Sequence, residues 1–312
     1  MINRRQSLLL AAGAALAGAT LPLRAAGDSV WVLPSDAGGA HAEALSALQV
    51  AWRQSGRRGD LIVLESGQLP AEGHPGAVVT LGSSALRQVH SRAEAQADWA
   101  RVPVLAALIP REAFTAIWRR PPAWVSAVYL DQPPERYMEL IRRVFPKSTR
   151  VGVLLGPDGQ AMRQVLAEEA SERGLQLTPV TVGHPDMLYA ALRTALADSD
   201  VLLVLPDSTV ADAGALQRVL IAAYRQRIPV IAYSPALVRS GAALGLYASP
   251  AQVGRQVASM LKHAPQAANW PASRLADGFM IAANEQVCRS LGLDVPEPVA
   301  LAELIRRQEG GR

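Results

Sequence analysis

One figure repeats along most of the chain: a short apolar run, a break at Gly, Ser, Asp or Pro, then a stretch with apolar residues at helical spacing. The runs at 30–33 (VWVL), 61–64 (LIVL), 77–81 (AVVTL) and 102–108 (VPVLAAL) each lead into such a break, and three of them into an amphipathic segment. Unbroken apolar runs alternating with helices predict a parallel sheet joined by crossover helices. A second series starts after the PPAW break near residues 120–125. Its strands are predicted at 126–130, 150–155, 177–182, 201–205 and 229–233, with helices over 134–145, 161–174, 185–196 and 211–227. Pro134 stands in the first turn of its helix, where its missing N–H costs nothing, and Gly174 marks a helix stop. Another strand-like run, GLYASP, then leads to the helix AQVGRQVASMLKH. After the break APQAANWPAS come FMIAA and the helix NEQVCRSLGL. The expected fold is α/β, two doubly wound parallel-sheet lobes joined by a hinge. The expected division is 28–122 with about 248–280 in the first lobe, and 123–247 with about 281–312 in the second.

The stretch VLLVLPDSTV at 201–210 ends a strand fit for a buried sheet on a carboxylate and hydroxyls. In open α/β sheets ligands sit beyond the carboxyl ends of the strands. Asp207 and Ser208 are therefore candidate ligand contacts, with Asp207 the natural partner of an ammonium. The same residue types also cap helices, so capping is the competing reading. Ser35 and Asp36 before Gly38-Gly39, and Gly82-Ser83-Ser84 after the 77–81 run, form similar loops in the first half. There glycine admits close backbone approach and helix N–H groups attract an anion. Tyr233-Ser234 end a strand, Tyr247 lies in the return segment, and Asp158 sits in the turn GPDG.

The first residues change the charge balance. MINRRQSLLLAAGAALAGATLPLRAAG has a basic start, an apolar run and small residues at 25–27, which predicts a cleaved secretory signal over 1–27 and a periplasmic location. The segment carries Arg4, Arg5 and Arg24 and no acid, so the formal net charge of +4 falls by three, to +1, without it. Nearly all the basic residues are arginines at helical spacing, a solvated face and not a nucleic-acid surface. Cys288 is the only cysteine, so no intrachain disulfide is available.

In order and spacing, TLGSSAL (80–86), the stretch 133–159 containing RVGVLLGPDG, VLLVLPDSTV (201–210), the stretch 228–258 from IPVIAYSP to GRQVA, and NEQVCRSLGLDVPEP (284–298) resemble ABC-transporter substrate-binding proteins of the type whose studied members bind tryptophan or tyrosine. The resemblance implies a type I periplasmic-binding fold, two lobes with a three-stranded hinge closing on a ligand. It also raises the binding reading of Gly82, Ser83 and Asp207. Two segments depart from the family pattern. RPPAWVSAVYL replaces a Gly-Gly-Asn-Ile-Thr-Gly-like stretch, and GPDGQ replaces an Asn- and Ser-bearing loop.

The expected function is capture of a small polar organic ligand, an amino acid among the candidates, and its delivery to an ABC permease. The alternative is a ligand-sensing or accessory periplasmic module that signals to a kinase or outer-membrane receptor. The protein is expected to act as a monomer and to meet the membrane only through its partner. The five histidines are scattered without metal-ligand spacing, and no GxSxG elbow or phosphate-loop lysine is present. No enzyme activity, metal or cofactor is expected. Cys288 reads as a small buried hydrophobe, and Trp52 and Trp118 as packing residues.

Overall fold

The computed structural model describes residues 29–56, 59–157, 159–207, 209–210, 213–263 and 270–310. The segment read as a secretory signal lies outside them. The first series forms β1 (Val30–Pro34), α1 (Gly39–Gln54), β2 (Leu61–Val63), β3 (Ala77–Leu81), α2 (Ser83–Ala95), β4 (Val104–Ile109), α3 (Arg111–Ile117) and β5 (Val125–Tyr129). The second forms α4 (Pro134–Val144), β6 (Arg150–Leu155), α5 (Arg163–Glu172), β7 (Gln176–Thr181), α6 (Leu188–Ala197), β8 (Val201–Leu203), α7 (Ala213–Arg225), β9 (Val230–Ala232), α8 (Pro235–Arg239) and β10 (Leu244–Tyr247). The chain closes with α9 (Pro250–His263), β11 (Arg274–Leu275), β12 (Met280–Ala283), α10 (Glu285–Leu291) and α11 (Pro298–Gly310).

Two sheets result, with strand orders β11-β5-β4-β3-β1-β2 and β12-β10-β9-β8-β6-β7. The winding is the same in both, and every pairing is parallel except β10 with β12. The central strands of each sheet are buried on both faces, which is why they read as nearly continuous apolar runs, whereas the edge strands β2 and β7 are partly exposed. In the first lobe Val32, Leu48, Val79 and Val253 fill one face, and Leu33, Val78, Leu86 and Phe114 the other. In the second, Val151, Leu203, Leu140 and Ile305 oppose Leu154, Leu202, Leu192 and Val219.

Helix α9 returns from the second lobe to pack along α1 of the first. Gly254 makes the close approach possible, because a Cβ there would collide with the carbonyl of Ala44. Trp52 is buried in this interface and Trp118 packs partly buried near α2, both as packing residues. Cys288 is buried as expected. No helix among the described residues is long and apolar enough to cross a membrane.

The sheet boundary differs from the expected one. β5 pairs with β4 through Val104–Val125 and Leu105–Ser126, so it belongs to the first sheet, not to a lobe starting at 123. The proline-rich break at 120–124 is the loop into the last major strand of that sheet. The chain crosses between the lobes at 130–133, again at 248–249 and again at 276–279.

Arg136, at the start of α4 and only 9% exposed, braces the first and third crossings. Its guanidinium donates to Gln132 Oε1 at 2.9 Å on the first crossing and to the Ala276 and Asp277 carbonyls at 3.4 and 3.3 Å on the third. It also pairs with Glu309 of α11 at 2.5 Å, and lies 4.5 Å from the centroid of the buried Phe279 ring. Each donor is answered, which is the condition for keeping a cation in so enclosed a place.

Candidate functional site

The strand tips of the first lobe are built around Gly82. It caps α2 with φ 92°, a conformation that favours glycine, and a Cβ there would meet His41 Nε2 and Ser35 Oγ at 2.7 Å. Ser35 reaches over from the β1 tip and its Oγ accepts the N–H of Ala85 at 2.9 Å, so it serves as a cap for α2 although remote in sequence. Asp36 is exposed, and its Oδ1 accepts the N–H of Gly38 at 2.8 Å just before α1. Ser83 and Ser84 lie in the first turn of α2, partly buried and exposed respectively. Thus Ser35, Gly82 and Ser83 come together, joined by His41, which sequence reasoning left among the scattered histidines.

The second lobe uses Asp207 differently from the expected ammonium partner. The residue is 2% exposed. Its Oδ2 accepts the N–H of Gly159 at 3.2 Å and its Oδ1 the N–H of Thr209 at 3.0 Å. Gly156 closes directly onto the carboxylate, and any side chain there would collide with it. The GPDG segment is therefore more than a plain turn, because the β8 loop holds it in place. Asp158 and Ser208 lie outside the described residues. No hydrogen bond among the described residues joins the Ser35–Gly82 corner to Asp207.

Tyr233 and Ser234 follow β9. Ser234 Oγ accepts the N–H of Leu237 at 3.3 Å and so caps α8. Tyr233 is half-buried, and burial followed by the field of Glu112 pushes its phenol above the usual range. Glu112 belongs to α3 of the first lobe, so this field spans the junction. Tyr247, also half-buried, sits at the second crossing. Burial raises its hydroxyl, Arg239 opposes the rise, and Glu43 of α1 adds to it.

Sequence reasoning missed a group of residues beyond the tips of β4 and β5. β4 bulges between Ala106 and Ile109, with Leu108 at φ 53°, and thereby re-aims its tip toward α3. Beyond the tip, the N–H of Arg111 donates to Asp131 Oδ2 at 2.7 Å, and the Arg111 guanidinium lies 5.3 Å from the Tyr129 ring centroid. Asp131 stands on the first crossing, and burial lifts its carboxyl above the usual value despite that hydrogen bond. Tyr137, on α4, is 1% exposed, and burial, then Asp131 and Tyr233, raise its hydroxyl. Neither Asp131 nor Tyr137 carries a signal in the sequence: one follows a strand, and the other lies on the apolar face of a helix. Among the described residues no group of three or more His, Cys, Asp or Glu is arranged to hold a metal ion.

Two similarly wound lobes joined by three crossings define the type I periplasmic-binding fold, and solved structures share it. A domain from Streptococcus pneumoniae, solved in complex with L-Trp, superposes with a TM-score of 0.58 at 19% identity, over 86% of this chain and 96% of that one. A conserved domain protein from Vibrio cholerae gives 0.58 at 19% identity, over 88% and 97%. A periplasmic ribose ABC transporter structure from Conexibacter woesei gives 0.50 at 16%, over 85% and 94%. At these identities the likeness establishes the fold. The family model for ABC transporter substrate binding proteins matches residues 96–302, and the chain belongs to that family. No curated protein matches the chain in sequence.

Proposed function

We propose that the protein is a periplasmic solute-binding protein that closes its lobes on a small polar organic molecule of amino-acid size and hands it to an ABC permease. The observation that carries this reading is the polar junction itself. Asp131 on the first crossing, hydrogen-bonded by the Arg111 N–H, and the capped strand-tip loops of both lobes supply its polar groups. A ligand touching both sets gains contacts only when the lobes are together, and so shifts the population toward the closed form. Membership of a solute-binding family supports the same reading and favours no catalytic chemistry.

Thermal melting of the purified protein with amino acids, amines, nucleosides, sugars and small carboxylates tests it, followed by calorimetry on each compound that shifts the transition. A ligand at one hundred times its Kd adds about 2.7 kcal/mol to stability, a shift of several degrees. If no compound in any class moves the melting temperature, the capture reading is wrong.

A further inference from the structure

The third crossing is gripped from both lobes, which a free linker would not be. The carbonyl of Phe279, at its end, accepts two hydrogen bonds. One comes from Gln252 Nε2 of α9 at 3.2 Å, the other from Arg306 Nη2 of α11 at 2.9 Å. Helix α9 packs in the first lobe and α11 in the second, so a single acceptor joins the two. The Phe279 ring is fully buried, its centroid 4.5 Å from the Arg136 guanidinium and 5.1 Å from that of Arg306. One turn beyond Gln252, Gln256 donates to the Leu275 carbonyl at 3.1 Å and accepts the Asp277 N–H at 2.9 Å.

Gln252 also holds the second crossing. Ser249 Oγ accepts the Gln252 N–H at 3.2 Å, and Gln252 Oε1 accepts the Ser249 N–H at 2.9 Å. This is the reciprocal cap of an S-x-x-Q helix start. A glutamate would close that cap equally well, but only an amide has an N–H left for the Phe279 carbonyl. Gly278 makes room for it, since a Cβ there would stand 2.9 Å from the Gln252 amide. With Arg136 linking the first crossing to the third, all three are tied into one unit.

We propose that Gln252 and Arg306 are positioning residues: meeting at the Phe279 carbonyl from opposite lobes, they set the orientation of the lobes before any ligand arrives. Lobe motion is absorbed by a few residues at such crossings, so a tie between them decides which arrangements are populated. Both residues act on capture through that population and not by touching the ligand. The orientation claim concerns the ligand-free protein, and only its effect on affinity rests on the capture reading above.

The test is pulsed electron resonance between spin labels at Arg87→Cys in the first lobe and Gln217→Cys in the second, both exposed positions, with Cys288 buried away from the label. One narrow distance is expected for the ligand-free parent. Gln252→Glu keeps the α9 cap and deletes only the donor to Phe279, and Arg306→Ala deletes the other donor. Each is expected to broaden or displace the distance distribution. Arg307→Ala, which removes an exposed arginine paired with Glu303, is expected to leave it unchanged. Gly278→Ala retains both side chains but crowds the Gln252 amide, so it should act in the same sense, and it decides the matter if another variant fails to fold. For any compound that shifts melting, Gln252→Glu and Arg306→Ala should change Kd several-fold in the same direction. A role confined to holding the fold would lower the melting temperature and leave distances and Kd alone. A parent distribution that is already broad, variants that match Arg307→Ala, or a response at only one of the two residues overturns the proposal. If the melting screen is silent the distances still decide it, and only the capture reading falls.

Discussion

The two lobes secure the same pair of strand tips in opposite ways. In the first, a hydroxyl on the β1 loop, Ser35, reaches the helix that follows β3. In the second, a carboxylate on the β8 loop, Asp207, reaches back to the turn that follows β6. Both stitches run from a side chain to a backbone N–H, and both close onto a glycine that tolerates no Cβ, Gly82 or Gly156. The difference lies in charge and enclosure. A neutral cap at a helix start is a local convenience, whereas a buried carboxylate holding two loops is a commitment of the whole lobe. The comparison teaches that polar groups at strand tips are used first on the chain's own backbone.

The largest expected effect follows from removing the carboxylate stitch. Asp207→Ala leaves the N–H groups of Gly159 and Thr209 without their acceptor and should cost about 3 kcal/mol in urea unfolding. Gly156→Ala forces a methyl into the same carboxylate and should cost about 2 kcal/mol. Combined with Asp207→Ala it should cost less than the sum, and strict additivity would show that the two do not touch. Ser35→Ala removes one cap bond and should cost about 1 kcal/mol, close to the ordinary value for a helix cap. A loss as large as that of Asp207→Ala would erase the proposed asymmetry.

The smallest effect lies at the other end of the second sheet, where the Arg150 guanidinium and the Thr149 and Arg150 N–H groups hold the Asp200 carboxyl at about 2, below its ordinary 3.8. Because the folded value is the lower one, this contribution is in place above pH 4 and fades as pH falls toward 2. Asp200→Asn should therefore melt below the parent at neutral pH and converge with it in acid.

The alternation of sheet strands and helices was legible because burial on both faces leaves the central strands almost wholly apolar, with Thr80 and Ser126 as exceptions. The lobe boundary was less so. A proline-rich break looks the same inside a sheet as between sheets, and only the pairing of β5 with β4 distinguishes them. β11, of two residues, and α8, of five, are too short for periodicity to show, and α11 follows a proline-rich stretch that reads as a tail. At the candidate site the sequence located the strand-tip loops correctly but could not apportion them. Ser35, Ser234 and Asp207 have the residue types of both caps and contacts, and the partner that decides between those roles lies far off along the chain or in another loop. Asp131 and Tyr137 were silent for a related reason, since what singles them out is the burial and the neighbours that tertiary structure gives them.

The seating of α9 on α1 through Gly254 has a consequence for how the molecule is made. Residues 250–263 complete a packing layer begun at 39–54, and five strands of the second sheet, β6 to β10, are synthesised between them. The helix layer that opens the first lobe is therefore completed only after those five strands have been made. Closing so long a loop is entropically slow, and until it closes the apolar flank of α1, with Leu48 and Trp52, stays uncovered. Refolding should show the β6–β10 sheet protected from hydrogen exchange before the β1–β5 sheet.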